Sequence, residues 1–359
     1  MNRRLFLATL LPSLLAAQGL PGISAEQLAR VETVVTSEMS RLNIPGLSVA
    51  IVTGGELRWA NGYGLADLEN SVPAKAATVY RLASISKPIT AVAAMQLVER
   101  GKLDLDAPVR KYLPSFPEKE WPITARQLLG HLGGVRHYRS GEEVNSTRHY
   151  ESVCEALDIF QNDALMHQPG TKYAYTTYGY NLLGCVVELA SATRFADYIR
   201  KNIFLPAGME TIRPDNVFDI VPNRAQGYRR TSGGELRNSN LADTSNKIPG
   251  GGLCSTVVDL ARFAIAMQSD VLLKKETRER MFTRQKLADG TETAYGLGWS
   301  VAEHDGRRVV SHGGAQQRVS TILYTAPDLG FAAALMCNME GANLGRAARE
   351  MARIFLESN

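Results

Sequence analysis

The sequence predicts an α+β fold in which both ends of the chain contribute strands to one body and a mainly helical segment is inserted between them. Strand-like patterns occur near both termini, at residues 47–52, 57–62, 309–311, 321–324 and 331–337. Between them the chain is dominated by helical and polar segments without comparable strands. We therefore predict an α/β body from about 25–105 and 250–359, with a helical insert at about 106–249.

Composition is that of a globular protein with a substantial core. The chain has 359 residues, 45% of them hydrophobic and 21% charged, which suits one large domain. The net charge is only +4 and the basic residues are scattered, so we expect no nucleic-acid partner. The six histidines form no metal-binding motif, and we expect neither a metal nor another cofactor.

The first residues have the layout of an export signal. Asn2, Arg3 and Arg4 form a basic start, and residues 5–17 are almost wholly apolar and end in small residues. We predict a signal peptide over residues 1–18, of a type resembling twin-arginine signals, and a periplasmic or secreted mature chain. The apolar run is short for a membrane span. Retention of the segment as an anchor is the alternative.

The N-terminal half of the predicted body begins with an amphipathic helix over Ala25–Leu42. The strand candidates 47–52 and 57–62 follow, joined by a turn at Gly54-Gly55. A further strand is predicted over 78–83. Apolar residues then recur at helical spacing between Ile85 and Val98, which predicts a helix there.

The insert and the C-terminal half alternate helices with polar stretches. Helices are predicted over 125–132, 180–192, 195–204, about 256–267 and 342–356. Ser255 or Thr256 can cap the fourth of these. Residues 227–250 are rich in Ser, Asn and Gly, which predicts a long surface excursion.

Four cysteines are spread along the chain, at Cys154, Cys185, Cys254 and Cys337, without a C-x-x-C pair. Cys185 and Cys337 lie in apolar runs, where a free cysteine behaves as a small buried hydrophobe. An exported protein permits disulfides. From the apolar surroundings we nevertheless predict no structural disulfide.

The segment Ser84-Ile85-Ser86-Lys87 places a serine and a lysine one helical turn apart, on the same face. A serine hydroxyl becomes a useful nucleophile only when a nearby base removes its proton. A lysine can be that base if burial or cationic neighbours lower its pKa. The alternative is a helix-capping serine with an exposed lysine, because S-x-x-K alone is a weak motif.

Two later segments complete an ordered set of motifs: Tyr175-Thr176-Thr177, and Ser311-His312-Gly313-Gly314 after a strand. With S-x-x-K first, this order resembles the serine β-lactamase-like and penicillin-binding protein family, of the class C β-lactamase and D-alanyl-D-alanine carboxypeptidase type. The segment from His131 to Tyr138 is most similar to mitochondrial β-lactamase-like serine proteins and their bacterial relatives. The resemblance spans about 45–340 and implies an antiparallel sheet flanked by helices, the β-lactamase/transpeptidase-like fold.

The resemblance also implies roles for particular residues. Ser84 is the expected acylated nucleophile, Lys87 its proton partner, and Tyr175 the tyrosine that shares proton transfer with the lysine. The expected substrate-binding residues lie on the second and third motifs: Thr177, His312, Gly314 and Ala315. The backbone N–H groups of Ser84 and Ala315 would form an oxyanion hole.

Two positions depart from the family pattern. Thr177 stands where many relatives have an asparagine that contacts the substrate amide. His312 replaces a lysine, and an unperturbed histidine is only partly charged near neutral pH. We therefore expect weak recognition of β-lactams, with a grip on carboxylates that declines from about pH 5.5 to about pH 8.

The most specific interpretation is a serine hydrolase that acts through an acyl-enzyme on peptide amides or esters, as a D-alanyl peptidase or an esterase does. Its substrate would be a small molecule or a peptide, and the oligomeric state is open. A true serine β-lactamase is the alternative enzyme. A catalytically silent penicillin-binding or scaffolding protein is the alternative from another class, although the intact Ser84, Lys87 and Tyr175 argue against it.

Overall fold

The computed structural model describes residues 22–356. The predicted signal peptide, residues 1–18, lies outside the described residues. Within them, no helix combines the length and apolarity that a membrane crossing requires.

The described chain contains strands mainly towards its two ends and several successive helices between them. The helices are α1 (Ala25–Leu42), α2 (Ser86–Glu99), α3 (Ala125–Leu129), α4 (Gly141–Val144), α5 (Thr177–Ser191), α6 (Phe195–Ile199), α7 (Ile248–Gly251), α8 (Val257–Ala266), α9 (Lys275–Met281) and α10 (Gly345–Leu356). The strands are β1 (Gly46–Thr53), β2 (Glu56–Asp67), β3 (Val72–Pro73), β4 (Tyr80–Arg81), β5 (Arg213–Pro214), β6 (Tyr228–Arg230), β7 (Leu236–Asn238), β8 (Leu253–Ser255), β9 (Ser300–His304), β10 (Arg307–Gln316), β11 (Val319–Ala326) and β12 (Phe331–Cys337).

The main sheet of the described residues is seven-stranded, in the order β3-β2-β1-β12-β11-β10-β9. Each neighbouring pair is antiparallel, so the predicted α+β class and antiparallel sheet are confirmed. The two ends of the chain meet where β1 pairs with β12, with Ala50 opposite Ala334. The β1–β2 turn is tight because Gly54 and Gly55 both adopt positive φ, a conformation that glycine reaches without a steric penalty.

Helices cover both faces of this sheet. Along β1, Leu47, Val49 and Ile51 enter the core shared with α1 and α10, whereas Ala50 and Val52 enter the core on the opposite face, where α8 packs. Alternate residues of a strand point to opposite faces, so burial on both sides gives the continuous apolar run seen in the sequence.

Helix α2 is almost completely enclosed, and its buried residues run from Ser86 to Leu97. The helix predicted between Ile85 and Val98 is therefore present, but it is buried on all sides and not only along one apolar face. Two other predicted helices differ in extent. The first ends at Leu129, earlier than expected, and the one starting at Phe195 changes to a wider π-type turn from Arg200.

The segment between α2 and β8 contains helices α3–α7 and only short strands. Its last part differs from the predicted surface excursion. Residues 228–238 form a two-stranded hairpin, as expected for an exposed loop. In contrast, the 3-10 turn Ser245–Lys247 is buried, because α5 holds it: the Asn181 side-chain amide donates to the Asn246 carbonyl at 2.6 Å.

Cys154 and Cys185 form a disulfide, so the prediction of no structural disulfide is wrong. Cys185 belongs to the buried face of α5, which explains its apolar sequence context. Cys154 lies in a loop 31 residues earlier that packs against this helix. Cys254 and Cys337 are buried free thiols. Which of the four cysteines pair depends on their distances in the folded protein, and the spacing of the cysteines in the sequence does not show it.

Replacing Cys154 and Cys185 by alanine should destabilise the protein, because the disulfide reduces the conformational entropy of the unfolded chain. A loop of the length between these two cysteines corresponds to about 4 kcal/mol in the chain-entropy description. Urea unfolding of oxidised wild type and of Cys154→Ala/Cys185→Ala measures this difference. A reductant should lower the free energy of unfolding of the wild type and leave that of the double variant unchanged. Four reactive thiols in denatured, unreduced wild type would contradict the assignment.

Candidate active site

Ser84 lies in a tight turn between β4 and α2. The 3-10 turn Ala83–Ile85 leads directly into α2 at Ser86. Ala83 adopts φ of 48°, a strained region for a residue with a Cβ. The turn is held by Ser86, whose hydroxyl donates to the Ala83 carbonyl at 2.9 Å. These contacts fix a half-buried Ser84 side chain at the start of the helix.

Lys87 lies one turn further along and points back to this serine. Its Nζ is 3.0 Å from Ser84 Oγ, 3.2 Å from Thr177 Oγ1 and 2.6 Å from the Gly250 carbonyl oxygen. The side chain is completely buried. Among residues 22–356, no carboxylate forms an ion pair with it. The alternative of an exposed lysine beside a capping serine is therefore excluded.

The surroundings favour the neutral amine of Lys87. Burial without a counter-charge, and then the nearby Lys247 cation, lower its pKa well below the ordinary value. A neutral amine has two N–H groups and one lone pair. The Gly250 carbonyl and the Thr177 hydroxyl accept the two N–H groups, so the lone pair is left for the proton of the Ser84 hydroxyl.

Tyr175 lies beside this pair, just before α5. Lys87 Nζ is 4.8 Å from the centre of its ring. Burial raises the pKa of the Tyr175 phenol, although its hydrogen bond with Ser84 opposes that shift. The phenol is thus protonated at neutral pH and is suited to donate a proton. The sequence prediction that it shares proton transfer with the lysine remains a prediction, in which Lys87, with its lowered pKa, is the base available at neutral pH.

His312 is buried on β10 and is held by two contacts. Its Nδ1 lies 2.7 Å from the Gly313 carbonyl oxygen, so this nitrogen carries the proton. Its Nε2 lies 2.8 Å from the hydroxyl of Tyr295, which donates to it. Burial is the main cause that lowers the pKa of His312 to about 3, and a charge on Lys87, whenever that amine is protonated, acts in the same direction. The ring is therefore neutral from about pH 5.5 to about pH 8, and the expected pH-dependent grip on carboxylates is wrong.

An open cleft of about 500 Å³ runs past Ser84, and Tyr175, Thr177, Gly314 and Ala315 also line it. His312 does not. Gly314 is constrained by its neighbours, since a Cβ there would lie 2.5 Å from the Leu82 carbonyl oxygen. The glycine lets β10 approach the Ser84 turn, as an oxyanion hole between the Ser84 and Ala315 N–H groups requires. That hole remains a prediction.

Three residues at the site received no role from sequence reasoning. The Gly250 carbonyl anchors Lys87, and Lys247 enters the cleft from the buried 3-10 turn. His131 is fully buried beneath Tyr175, with ring centres 4.3 Å apart. Its Nδ1 accepts the Thr176 N–H at 3.2 Å, which fixes the start of α5. The resemblance at residues 131–138 includes His131 and could have indicated it. Lys247 lies in the polar stretch 227–250, which was predicted to be a surface excursion, so nothing in the sequence marked it as a site residue.

Replacing Lys87 by arginine should abolish most of the serine's reactivity, because an arginine stays charged and has no lone pair for the proton. We expect labelling of Ser84 by a fluorophosphonate to slow by about 100-fold or more, as in Lys87→Ala. Intact-protein mass spectrometry against time measures the rate, and Ser84→Ala supplies the unlabelled baseline. Labelling of Lys87→Arg at near wild-type rate would show that a positive charge alone is sufficient.

Comparison with known proteins agrees with this arrangement. Residues 31–356 match the family model described as Beta-lactamase. The mitochondrial serine beta-lactamase-like protein LACTB of Homo sapiens is 30% identical over 418 aligned positions, which cover 87% of this chain and 76% of that protein. A penicillin-binding protein of Bacillus subtilis (strain 168) is 32% identical over 292 positions, covering 77% of this chain and 64% of the relative.

Among solved structures, a D-amino acid amidase from Ochrobactrum anthropi SV3 superimposes with a TM-score of 0.80. The alignment covers 93% of this chain and 99% of the amidase at 21% identity, and it shows a shared fold. The family match extends over nearly all of the described residues, and the S-x-x-K and tyrosine motifs meet at one cleft. This chain therefore belongs to the beta-lactamase family.

Proposed function

We propose that this protein is a serine hydrolase that cleaves esters or peptide amides through an acyl-enzyme on Ser84. The observation that carries the proposal is the 3.0 Å contact between Ser84 Oγ and Lys87 Nζ, made by a buried amine whose other hydrogen-bonding positions are filled. A lysine that only stabilised the fold would gain nothing from a buried position without a carboxylate partner.

The proposed reaction begins when Ser84 Oγ attacks the substrate carbonyl carbon and its proton passes to Lys87 Nζ. The N–H groups of Ser84 and Ala315 bind the resulting oxyanion. As the tetrahedral intermediate collapses, Tyr175 protonates the departing alcohol or amine, and Lys87 returns the proton to the tyrosine. A water molecule then attacks the acyl-enzyme and gives a proton to Lys87 Nζ. When this second intermediate collapses, that proton returns to Ser84 Oγ and the acid is released.

Two features support esters and peptide amides over β-lactams as substrates. His312 is neutral, hydrogen-bonded to Tyr295 and outside the cleft lining, so it supplies no cation for a β-lactam carboxylate. The hydroxyl of Thr177 faces Lys87, which leaves it less available to a substrate amide. The shared fold with a D-amino acid amidase is consistent with amide substrates.

A mass-spectrometric experiment tests the central proposal. Wild type should gain the mass of the acyl group when a slowly deacylating ester is added, and Ser84→Ala should gain none. An adduct on both proteins, or on neither with any ester or fluorophosphonate, would favour the silent penicillin-binding or scaffolding alternative.

The protein should hydrolyse a short-chain para-nitrophenyl ester more efficiently than a chromogenic cephalosporin. The physical reason is the absence of a cationic third motif, since His312 is neutral. Comparing kcat/KM for the two substrates measures the preference, and the ratio should stay constant between about pH 5.5 and about pH 7, where His312 is neutral and Lys247 is charged. Efficient cephalosporin turnover would instead support the true β-lactamase alternative.

We also propose that the chain is exported to the periplasm or secreted, with removal of residues 1–18. The support is the basic start followed by a short apolar run. The human relative is named as a mitochondrial protein, so the proposed export of this chain rests on its own N-terminal residues and not on that relative. N-terminal sequencing of protein from its native host should give a start near residue 19, whereas an intact Met1 in a cytosolic fraction would refute export.

A further inference from the structure

The cleft beside Ser84 has a one-sided charge. Among its described lining residues there is no aspartate or glutamate, while Lys247 contributes an ammonium group. His137 also lines the cleft, but burial, followed by the nearby lysines, lowers its pKa to about 4, so it is neutral. At neutral pH the cleft therefore presents one positive charge, on Lys247, to whatever enters it.

Lys247 is buried without an ion-pair partner among the described residues, and the carboxylate of Asp243, whose charge raises the pKa of Lys247 from further away, lies against His149. The Lys247 side chain is only 2% exposed, and among the described residues no carboxylate lies within ion-pair distance of Nζ. The ammonium donates a long hydrogen bond of 3.5 Å to the Val144 carbonyl and lies 5.3 Å from the centre of the Tyr138 ring. Three N–H donors with such weak partners can bind an anion.

The fold holds Lys247 in this position. The Asn246 carbonyl accepts from Asn181 at 2.6 Å, and the Pro249 carbonyl accepts from Thr90 at 2.7 Å. Helices α5 and α2 thus clamp the turn on both sides of the lysine. A solvent-exposed lysine would cost less free energy than this buried one, so the clamped position requires a reason beyond stability.

Gln316 supplies a second donor in the same cleft. It lines the cleft, and its side-chain Nε2 is buried without a hydrogen-bond partner among the described groups. Gln316 directly follows Ala315 on β10, and four residues of strand, about 13 Å, separate it from His312. Because the leaving group departs beside Tyr175, whose ring lies 6.4 Å from that of His312, Gln316 is at the acyl end.

We propose that Lys247, assisted by Gln316, binds a carboxylate on the acyl group of the substrate, so that the enzyme prefers esters or amides of dicarboxylic or acidic acyl chains. The inference rests on the proposed function of Ser84. It adds the chemical class of the acyl group and names the residues of the cleft that would recognise it.

Lys247 has a second effect, because its charge also lowers the pKa of Lys87. A change in the overall rate of a Lys247 variant would therefore not identify an anion site. The informative quantity is the ratio of kcat/KM for an anionic and a neutral substrate with the same leaving group, since an altered Lys87 affects both equally.

The test compares para-nitrophenyl hydrogen glutarate with para-nitrophenyl pentanoate, which has an uncharged acyl chain of equal length. Wild type should favour the glutarate ester. Lys247→Met should reduce the anionic-to-neutral ratio by about 10-fold to 100-fold, the range for losing a charge-assisted hydrogen bond. Lys247→Arg should retain most of the preference, and Gln316→Leu should reduce it less than Lys247→Met does. Lys102→Met, which removes an exposed charge outside the cleft lining, is the matched control.

Binding is measured separately, so that the two proposals can fail independently. In a Ser84→Ala background, calorimetry with the same two esters should show a Kd for the glutarate ester that rises about 10-fold or more on adding Lys247→Met. This readout needs no catalysis and decides the inference even if wild type proves inactive. A wild-type preference for the neutral ester, or an equal loss for both esters in Lys247→Met, would overturn it. The inference would also be overturned if the enzyme preferred an anionic ester only when the carboxylate is on the leaving phenol and not on the acyl chain.

Discussion

The structure depends on the burial of a lysine without a carboxylate partner. Lys87 lies in a helix enclosed by the rest of the fold, and its amine contacts only hydroxyl and carbonyl oxygens at hydrogen-bond distance. Because desolvation penalises the ammonium form, this position converts an ordinary side chain into a base. The strained Ala83, the Gly250 carbonyl and the Thr177 hydroxyl all serve to hold the amine against Ser84.

The site contains two neighbouring lysines, whereas an ion-pair centre contains a cation and an anion. The positive charge of Lys247 helps to keep Lys87 neutral. Burial, and then the Arg81 charge, lower the pKa of Lys247 itself to about 8. A bound anion would favour its charged form. One cation thus tunes the base, and the same cation is available to the substrate.

Aromatic packing supports this polar centre from below. His131 contacts the rings of Tyr175, Tyr180 and Tyr295, and Tyr295 in turn donates to His312. Burial lowers the pKa of both His131 and His312, so these histidines add no positive charge beside Lys87 at neutral pH. The third motif therefore connects the sheet to the tyrosine cluster, and the cation of the cleft comes from Lys247, on the turn preceding α7.

Much of this protein was readable in the sequence, because local patterns survive folding. The α1 boundaries, the β1–β2 hairpin, the strand Phe331–Cys337 and the order of the three motifs all follow from periodicity, turn residues and motif spacing. Tertiary contacts alone decided the rest. His312 is neutral because it is buried. The Cys154–Cys185 disulfide forms because a loop packs against α5. Lys247 lies at the cleft because α2 and α5 hold the polar stretch that carries it. Each of these depends on groups far apart in the chain, since burial and electrostatic coupling are set by distances in space.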